Sequence, residues 1–381
     1  MIHCAGILAG VIVFSGILSA QTVDPTKPDE GTPPKIDGMT LVWNDEFSKD
    51  GKPDAANWRY ETGFVRNQEL QWYQSDNASV KNGLLVIEGR KQQVPNPNYV
   101  SGSTDWKKNR QYAQYTSSSI NSSGLKTWKF GRFDIRARIN TQKGSWPAIW
   151  TLGVSGEWPS NGEIDILEFY QIGGVPGILA NFAWGTTTRW EAKWDGANKP
   201  LSYFVNKDAK WVDKFHIWTM DWGRDTIRLL LDGELMNEAL VKNMANPDGS
   251  NPFLQNHYLL LNLALGANGG DPSGSTFPIL YEVDYVRVYQ KTVSAIPGCA
   301  AAIPAKGITF DQSSRMLLFN GNVSGGTSVA SIYSMNGILV QRKVLRKTNS
   351  QRYGTVLAVL PAGVYAVNIG DGLFVDQLLV K

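Results

Sequence analysis

From about Leu41 to Gln290 the apolar and polar residues alternate in short runs and never settle into helical spacing. Phe133-Asp-Ile-Arg-Ala-Arg-Ile139 and Val283-Asp-Tyr-Val-Arg-Val-Tyr289 each repeat with period two, which predicts strands with one buried face. Ile227-Arg-Leu-Leu-Leu231 and Glu234-Leu-Met236 flank Asp232-Gly233, a pair that tolerates the positive φ angles of a type I′ hairpin turn. No stretch carries a long amphipathic helix. Past residue 306 the pattern resumes in Val329–Ser334, Thr355–Leu360, Val364–Ile369 and Leu373–Lys381, with turns at Asn336-Gly337, Pro361-Ala-Gly363 and Asp371-Gly372. The expected fold class is therefore all-β: a large unit over residues 39–291 and a small C-terminal β-sandwich over 307–381. Residues 292–306, small and Pro-bearing, read as a linker between them.

The two ends of the N-terminal region differ in kind. Cys4 to Ala20 runs seventeen residues without a charge, which predicts a secretory signal peptide over 1–20 and a secreted or cell-surface protein. A membrane anchor is the alternative, but the run falls short of the ~20 residues a span needs. Residues 21–38, rich in Pro, Asp and Thr, read as a flexible lead-in. The 381 residues hold 37 basic and 34 acidic side chains, and a net charge of +3 argues against a nucleic-acid protein with a dominant basic surface. Two cysteines, Cys4 and Cys299, make neither a disulfide framework nor an all-Cys zinc site. Fourteen tryptophans remain, and Trp serves equally as core or as a stacking platform for sugars.

The densest chemistry is Glu163-Ile-Asp-Ile-Leu-Glu168. On a regular strand Glu163 and Asp165 share one face while Glu168 points to the other. A β-bulge between Asp165 and Glu168 would bring all three to one face, with the two Glu α-carbons roughly 13 Å apart. Long side chains leaning together on a curved sheet then reach the ~5–5.5 Å carboxyl spacing of a retaining glycosidase. Alone, an E-x-D-x-x-E segment reads as readily as an acidic surface stretch. Its flanks shift the balance: Trp146-Pro-Ala-Ile-Trp150 places Trp146, Ala148 and Trp150 on one face, and Trp158 follows just before Glu163. The residues by themselves do not order the roles of the two glutamates.

These segments resemble glycoside hydrolase family 16, together with Trp43-Asn-Asp-Glu-Phe47, Asn67-Gln-Glu-Leu-Gln-Trp-Tyr73, Gly131–Arg138, Phe215–Trp222, Asn262–Gly266 and Val283–Tyr289 in family order. The resemblance spans about 41–290. It implies a β-jelly-roll of two curved antiparallel sheets with a concave substrate cleft. It implies Glu163 as nucleophile, Glu168 as acid/base and Asp165 as helper, with Asn67, Glu69, Trp146, Trp150, Trp158, Asn181 and Trp184 as substrate-binding residues. The implied activity is retaining endo-hydrolysis of β-1,3- or mixed-linkage β-1,3-1,4-glucan, with β-glucan as partner, no catalytic cofactor and a monomeric state. It also implies one structural Ca²⁺ held by oxygens of Glu46, Gly83 and Asp284, ligands that suit a hard cation. Ala183 departs from the pattern, standing where many members carry a His. Two alternatives stay open: a relative acting on agarose or another galactan, and a non-catalytic β-glucan-binding protein. The tail from about 307 is similar to sorting domains of the type IX secretion system, which implies contact with secretion machinery; a plain accessory module is the alternative.

Overall fold

The computed structural model describes residues 23–292 and, in the C-terminal region, 308–320, 328–334, 339–349, 352–361, 363–369 and 374–380. The expected signal peptide and most of the linker lie outside the described residues, as do the turns at Asn336-Gly337 and Asp371-Gly372.

Two large antiparallel sheets face each other as a jelly-roll sandwich. One runs Glu234–Leu240, Thr226–Leu231, His216–Trp222, Gly131–Arg138, Ile279–Lys291, Leu84–Gly89 and Ala78–Lys81, with Met39–Asp45 also pairing Ile279–Lys291. The other runs Ala192–Pro200, Val175–Gly185, Glu163–Ile172, Ser145–Gly153, His257–Leu265, Ser119–Asn121 and Arg59–Tyr60. Between them lies one continuous apolar core, to which alternate residues of each strand contribute: Phe133, Ile135 and Ala137 from the first sheet, Leu259, Leu261 and Leu263 from the second. The hairpin forms as its sequence requires, with Asp232 and Gly233 both at positive φ (49° and 81°).

Period two fails at one place on the long last strand. Arg136 pairs with Tyr285 and Ala137 with Val283, so Asp284 is an extra residue and the strand bulges there. Val283, Val286 and Val288 enter the core, while Asp284 meets Arg136 away from it.

That contact overturns two expectations. Asp284 is ion-paired with Arg136 at 2.5 Å, and Glu46 is held by both Nε and Nη2 of Arg287 at 2.9 and 2.7 Å. With both carboxylates spent on arginines, Glu46, Gly83 and Asp284 do not fit a Ca²⁺ site. No group of three or more His, Cys, Asp or Glu suited to a metal occurs among the described residues. Nor is the lead-in free over its first part. Arg136 donates to the carbonyls of Lys27 and Asp24, Arg287 to Asp29, the Asp29 amide donates to Asp284, and the Phe215 amide to the Pro25 carbonyl. Residues 24–29 thus strap across the first sheet, because the buried arginines there carry more donors than the sheet's own carboxylates can satisfy.

The C-terminal strands form one seven-stranded antiparallel sheet, curled as a half-barrel. It has its own core of Leu317, Phe319, Ala330, Ile332, Leu345, Tyr353, Leu357, Leu360, Tyr365 and Val367.

Candidate active site

The second sheet floors an open cleft of about 790 Å³. Its centre is the strand Glu163–Ile172, and the expected bulge is present. Asp165 pairs with Asn181 and Glu168 with Leu179, three chain steps against two. The extra residue lets Ile166 and Leu167 both enter the core, beside Ile164 and Phe169. Glu163, Asp165, Glu168 and Tyr170 consequently all face the cleft.

Indole and amide N–H groups hold the carboxylates. Trp158 Nε1 donates to Glu163 Oε2 at 2.7 Å. Trp146 Nε1 and Asn181 Nδ2 donate to the two oxygens of Glu168 at 3.0 and 2.8 Å. Trp150 instead donates to Asn262 Oδ1 at 2.7 Å, and Asn262 donates to the Tyr73 hydroxyl. Trp146 and Trp150 are only 7% and 8% exposed. Two of the tryptophans expected as sugar platforms, Trp146 and Trp158, are thus also the scaffold of the acid groups.

The three carboxyls cannot all be charged in so dry a place. Burial pushes Glu163 and Glu168 each up to about 7, and holds Asp165 well above the usual carboxylate range, where Glu163 and Glu168 raise it further. Asp165 Oδ2 is buried and accepts no hydrogen bond from an N–H or hydroxyl donor, which fits a proton carried on Asp165 itself and given toward Glu163. The surroundings of the two glutamates are unequal. On Glu163 the Trp158 N–H, the Arg66 charge and the Asp165 contact all favour the ionised form against burial. On Glu168 burial is joined by the charges of Glu163 and Glu69, with the Trp146 and Asn181 N–H groups opposing.

Arg66 was not anticipated. Its guanidinium lies 5.0 Å from the centre of the Trp150 ring, and Nη2 pairs with Glu61, which also accepts from Ser119 Oγ at 2.6 Å. Its Nη1 is buried without a hydrogen-bond partner, so the charge is only partly compensated locally. Next to it, Asn67 and Gln68 both take left-handed backbone (φ 55° and 53°), a strained pair of non-glycine residues. Asn67 and Gln71 donate to the buried Glu69 at 3.3 and 2.6 Å.

Of the residues expected in the site, Glu163, Asp165, Glu168, Asn67, Glu69, Trp146, Trp150, Trp158 and Asn181 all line the cleft. Trp184 does not. It alternates with Asn181 and Ala183 on its strand and packs with Phe182 and Ala180 in the core. The cleft also contains Tyr170, Trp190, Trp194, Gly196, Asn262 and Asn268. Asn262 stood inside a quoted motif; Trp190 and Trp194 carried no spacing signal that tied them to Glu163.

Two carboxylic groups of unequal environment on one wall of a long open cleft define a glycosidase type of site. Residues 66–286 match Glycosyl hydrolases family 16, and the chain belongs to that family. It is 32% identical to Glucan endo-1,3-beta-glucosidase A1 of Niallia circulans over 68% of this chain, although it spans only 39% of that protein's length. It is also 32% identical to Beta-glucanase of Rhodothermus marinus, covering 66% of this chain and 85% of that one. Among solved structures, one described under endo-acting O-glycanases of the human gut microbiota that initiate mucin breakdown has a TM-score of 0.61 at 34% identity, over 68% of this chain and 94% of that one. SCLam, a non-specific endo-beta-1,3(4)-glucanase, has a TM-score of 0.56 at 33% identity, over 70% and 96%. The protein is a glycoside hydrolase, and its family needs no cofactor for catalysis.

Proposed function

We propose that this protein is a retaining endo-β-glucanase that cuts β-1,3 or mixed β-1,3-1,4 linkages by double displacement. The observation that carries the reading is the bulged strand, which turns Glu163, Asp165 and Glu168 to one cleft wall in unequal electrostatic settings. Glu163, with a cation and an N–H donor favouring its charge, attacks the anomeric carbon as the glycosidic C–O bond breaks. Glu168 gives its proton to the departing oxygen. Water then loses a proton to the Glu168 carboxylate and attacks the same carbon, releasing Glu163. Asp165 holds a proton against Glu163 and yields it no competing charge. Identity to two β-glucanases supports the glucan substrate. A second reading, cleavage within mucin-type O-glycan chains, is favoured by the 0.61 TM-score to the O-glycanase structure.

Chromatography of products from laminarin, barley β-glucan, lichenan, agarose and mucin O-glycans separates these readings. Fresh products should be β-anomers by NMR. Glu163→Gln should be inactive, whereas Glu168→Gln should keep turnover on substrates with good leaving groups and be rescued by azide. First-formed α-anomers, or an active Glu163→Gln, would overturn the mechanism.

A further inference from the structure

The fourteen tryptophans all lie among the described residues, and only Trp190 and Trp194 expose half of their surface, at 53% and 50%. Both line the cleft. Trp194 sits on the edge strand Ala192–Pro200 in register with Ala183, which is itself in register with Glu163. Side chains in register share a face, so Glu163, Ala183 and Trp194 form one row across the floor. Two strand spacings put Trp194 roughly 10 Å from the catalytic strand, farther than the sugar ring being cleaved can reach. Ala183 between them is a single methyl and leaves the near side of Trp194 uncovered.

Trp190 is held in a costly way. Its φ is +69°, a left-handed conformation that bulky residues rarely take and that costs about 1 kcal/mol or more. The Arg189 guanidinium lies 4.9 Å from the ring centre and makes two 2.8 Å bonds to Glu157. Glu157 belongs to the same loop as Trp158, the donor to Glu163. A strained backbone, an indole left half exposed despite the Arg189 contact, and a tie to the catalytic loop bring the fold itself no gain. They make sense together when something flat and apolar covers the rings.

We propose that Trp190 and Trp194 form a distal subsite that stacks the pyranose faces of a β-linked sugar chain beyond the rings at the cleavage point. The occupant is a sugar chain because the two rings continue the floor of the cleft that holds the catalytic row. This rests on the glycosidase reading above. It makes cleavage depend on chain length, and it gives Ala183 a use, since a larger residue would stand between the catalytic strand and Trp194.

The test compares wild type with Trp190→Ala, Trp194→Ala, the double variant and both Trp→Phe forms. The substrates are whichever of laminarin, barley β-glucan and mucin O-glycans the wild type cuts, and the shortest oligosaccharide from it that the wild type still cuts. The ratio of kcat/KM on polymer to kcat/KM on the short substrate should fall about 10- to 100-fold in the double variant, with Phe restoring most of it. Both side chains are exposed, so unfolding temperatures should stay near wild type and folding does not confuse the result. An unchanged ratio, with Glu163→Gln still inactive, would overturn the subsite and leave the glycosidase reading intact. No cleavage of any of these polymers by wild type would overturn both.

Discussion

Glu163 shows how a single buried carboxyl couples stability to function. Burial raises it from an ordinary value near 4.5 to about 7, so the folded state holds its proton more tightly than the unfolded chain does. Folding therefore gains most below the unfolded value, and that gain is lost as pH rises through about 7. Above that the full cost of a buried charge applies, on the order of 3 kcal/mol. Glu163→Gln is neutral at every pH and its amide oxygen can still accept from Trp158. It should unfold several degrees higher than wild type at pH 8, with the difference fading toward pH 4. Thermal unfolding across that range checks this; a constant offset would mean packing, not charge, is responsible. Arg66 acts on the same group from the opposite side. The titratable groups facing Glu163 are Arg66, Asp165, Glu168 and Tyr258, and of these Arg66 alone is a cation. Arg66→Met should move the acidic limb of the kcat/KM profile up by about one pH unit, while Arg66→Lys holds it near wild type. An unmoved limb in Arg66→Met would reduce Arg66 to a structural partner of Glu61.

At the scale of strands, the catalytic groups depend on how closely neighbours approach. Gly196 on the edge strand lies against Asn181, and a Cβ there would sit 2.7 Å from Asn181 Oδ1. Asn181 would have to turn, and its 2.8 Å bond to Glu168 would be lost. Gly196→Ala should therefore lower kcat roughly 10-fold or more with little change in unfolding temperature, since the displaced atom ends a short polar side chain. The converse result, stable kcat with a lower unfolding temperature, would assign Gly196 to the strand alone. The bulge was legible because the face arithmetic of Glu163, Asp165 and Glu168 admits one simple solution, and the strands around it follow from period two. Trp184 was misplaced because a motif names a segment, while only strand pairing says which alternate residues face the cleft. Arg66 and Trp190 were out of reach for a different reason. Each enters the cleft from a loop, where no periodicity relates it to Glu163, whether about a hundred positions away for Arg66 or about thirty for Trp190. The bulge at Asp284 was hidden too, because Val283–Tyr289 alternates well enough to look regular.

Across the whole molecule, the face of the first sheet away from the core is tied together by charge. Arg136 and Arg287 are both almost fully buried, and their acceptors come from three separate places: Asp284 on the last long strand, Glu46 beside the first, and the strap at Asp24, Lys27 and Asp29. Removing residues 21–31 would take away two carbonyl acceptors and the Asp29 carboxylate, and with them the Asp29 amide that donates to Asp284 and the Pro25 carbonyl that caps Phe215 N–H. Water can replace some of these once the strap is gone, so the loss should be about 2–4 kcal/mol, less than for a pair broken inside a closed core. The truncated protein should unfold roughly 5–10 °C lower than the full chain. It should keep its kcat/KM well below that temperature, because the strap lies on the first sheet and the cleft on the second. EDTA should leave the unfolding temperature of the full chain where it was, since Glu46 and Asp284 are already matched by arginines. A drop with EDTA, together with no effect of truncation, would show that Ca²⁺ and not the strap joins these strands. If truncation instead abolishes activity at low temperature, the strap reaches the catalytic sheet through the core, and the separation of the two faces fails.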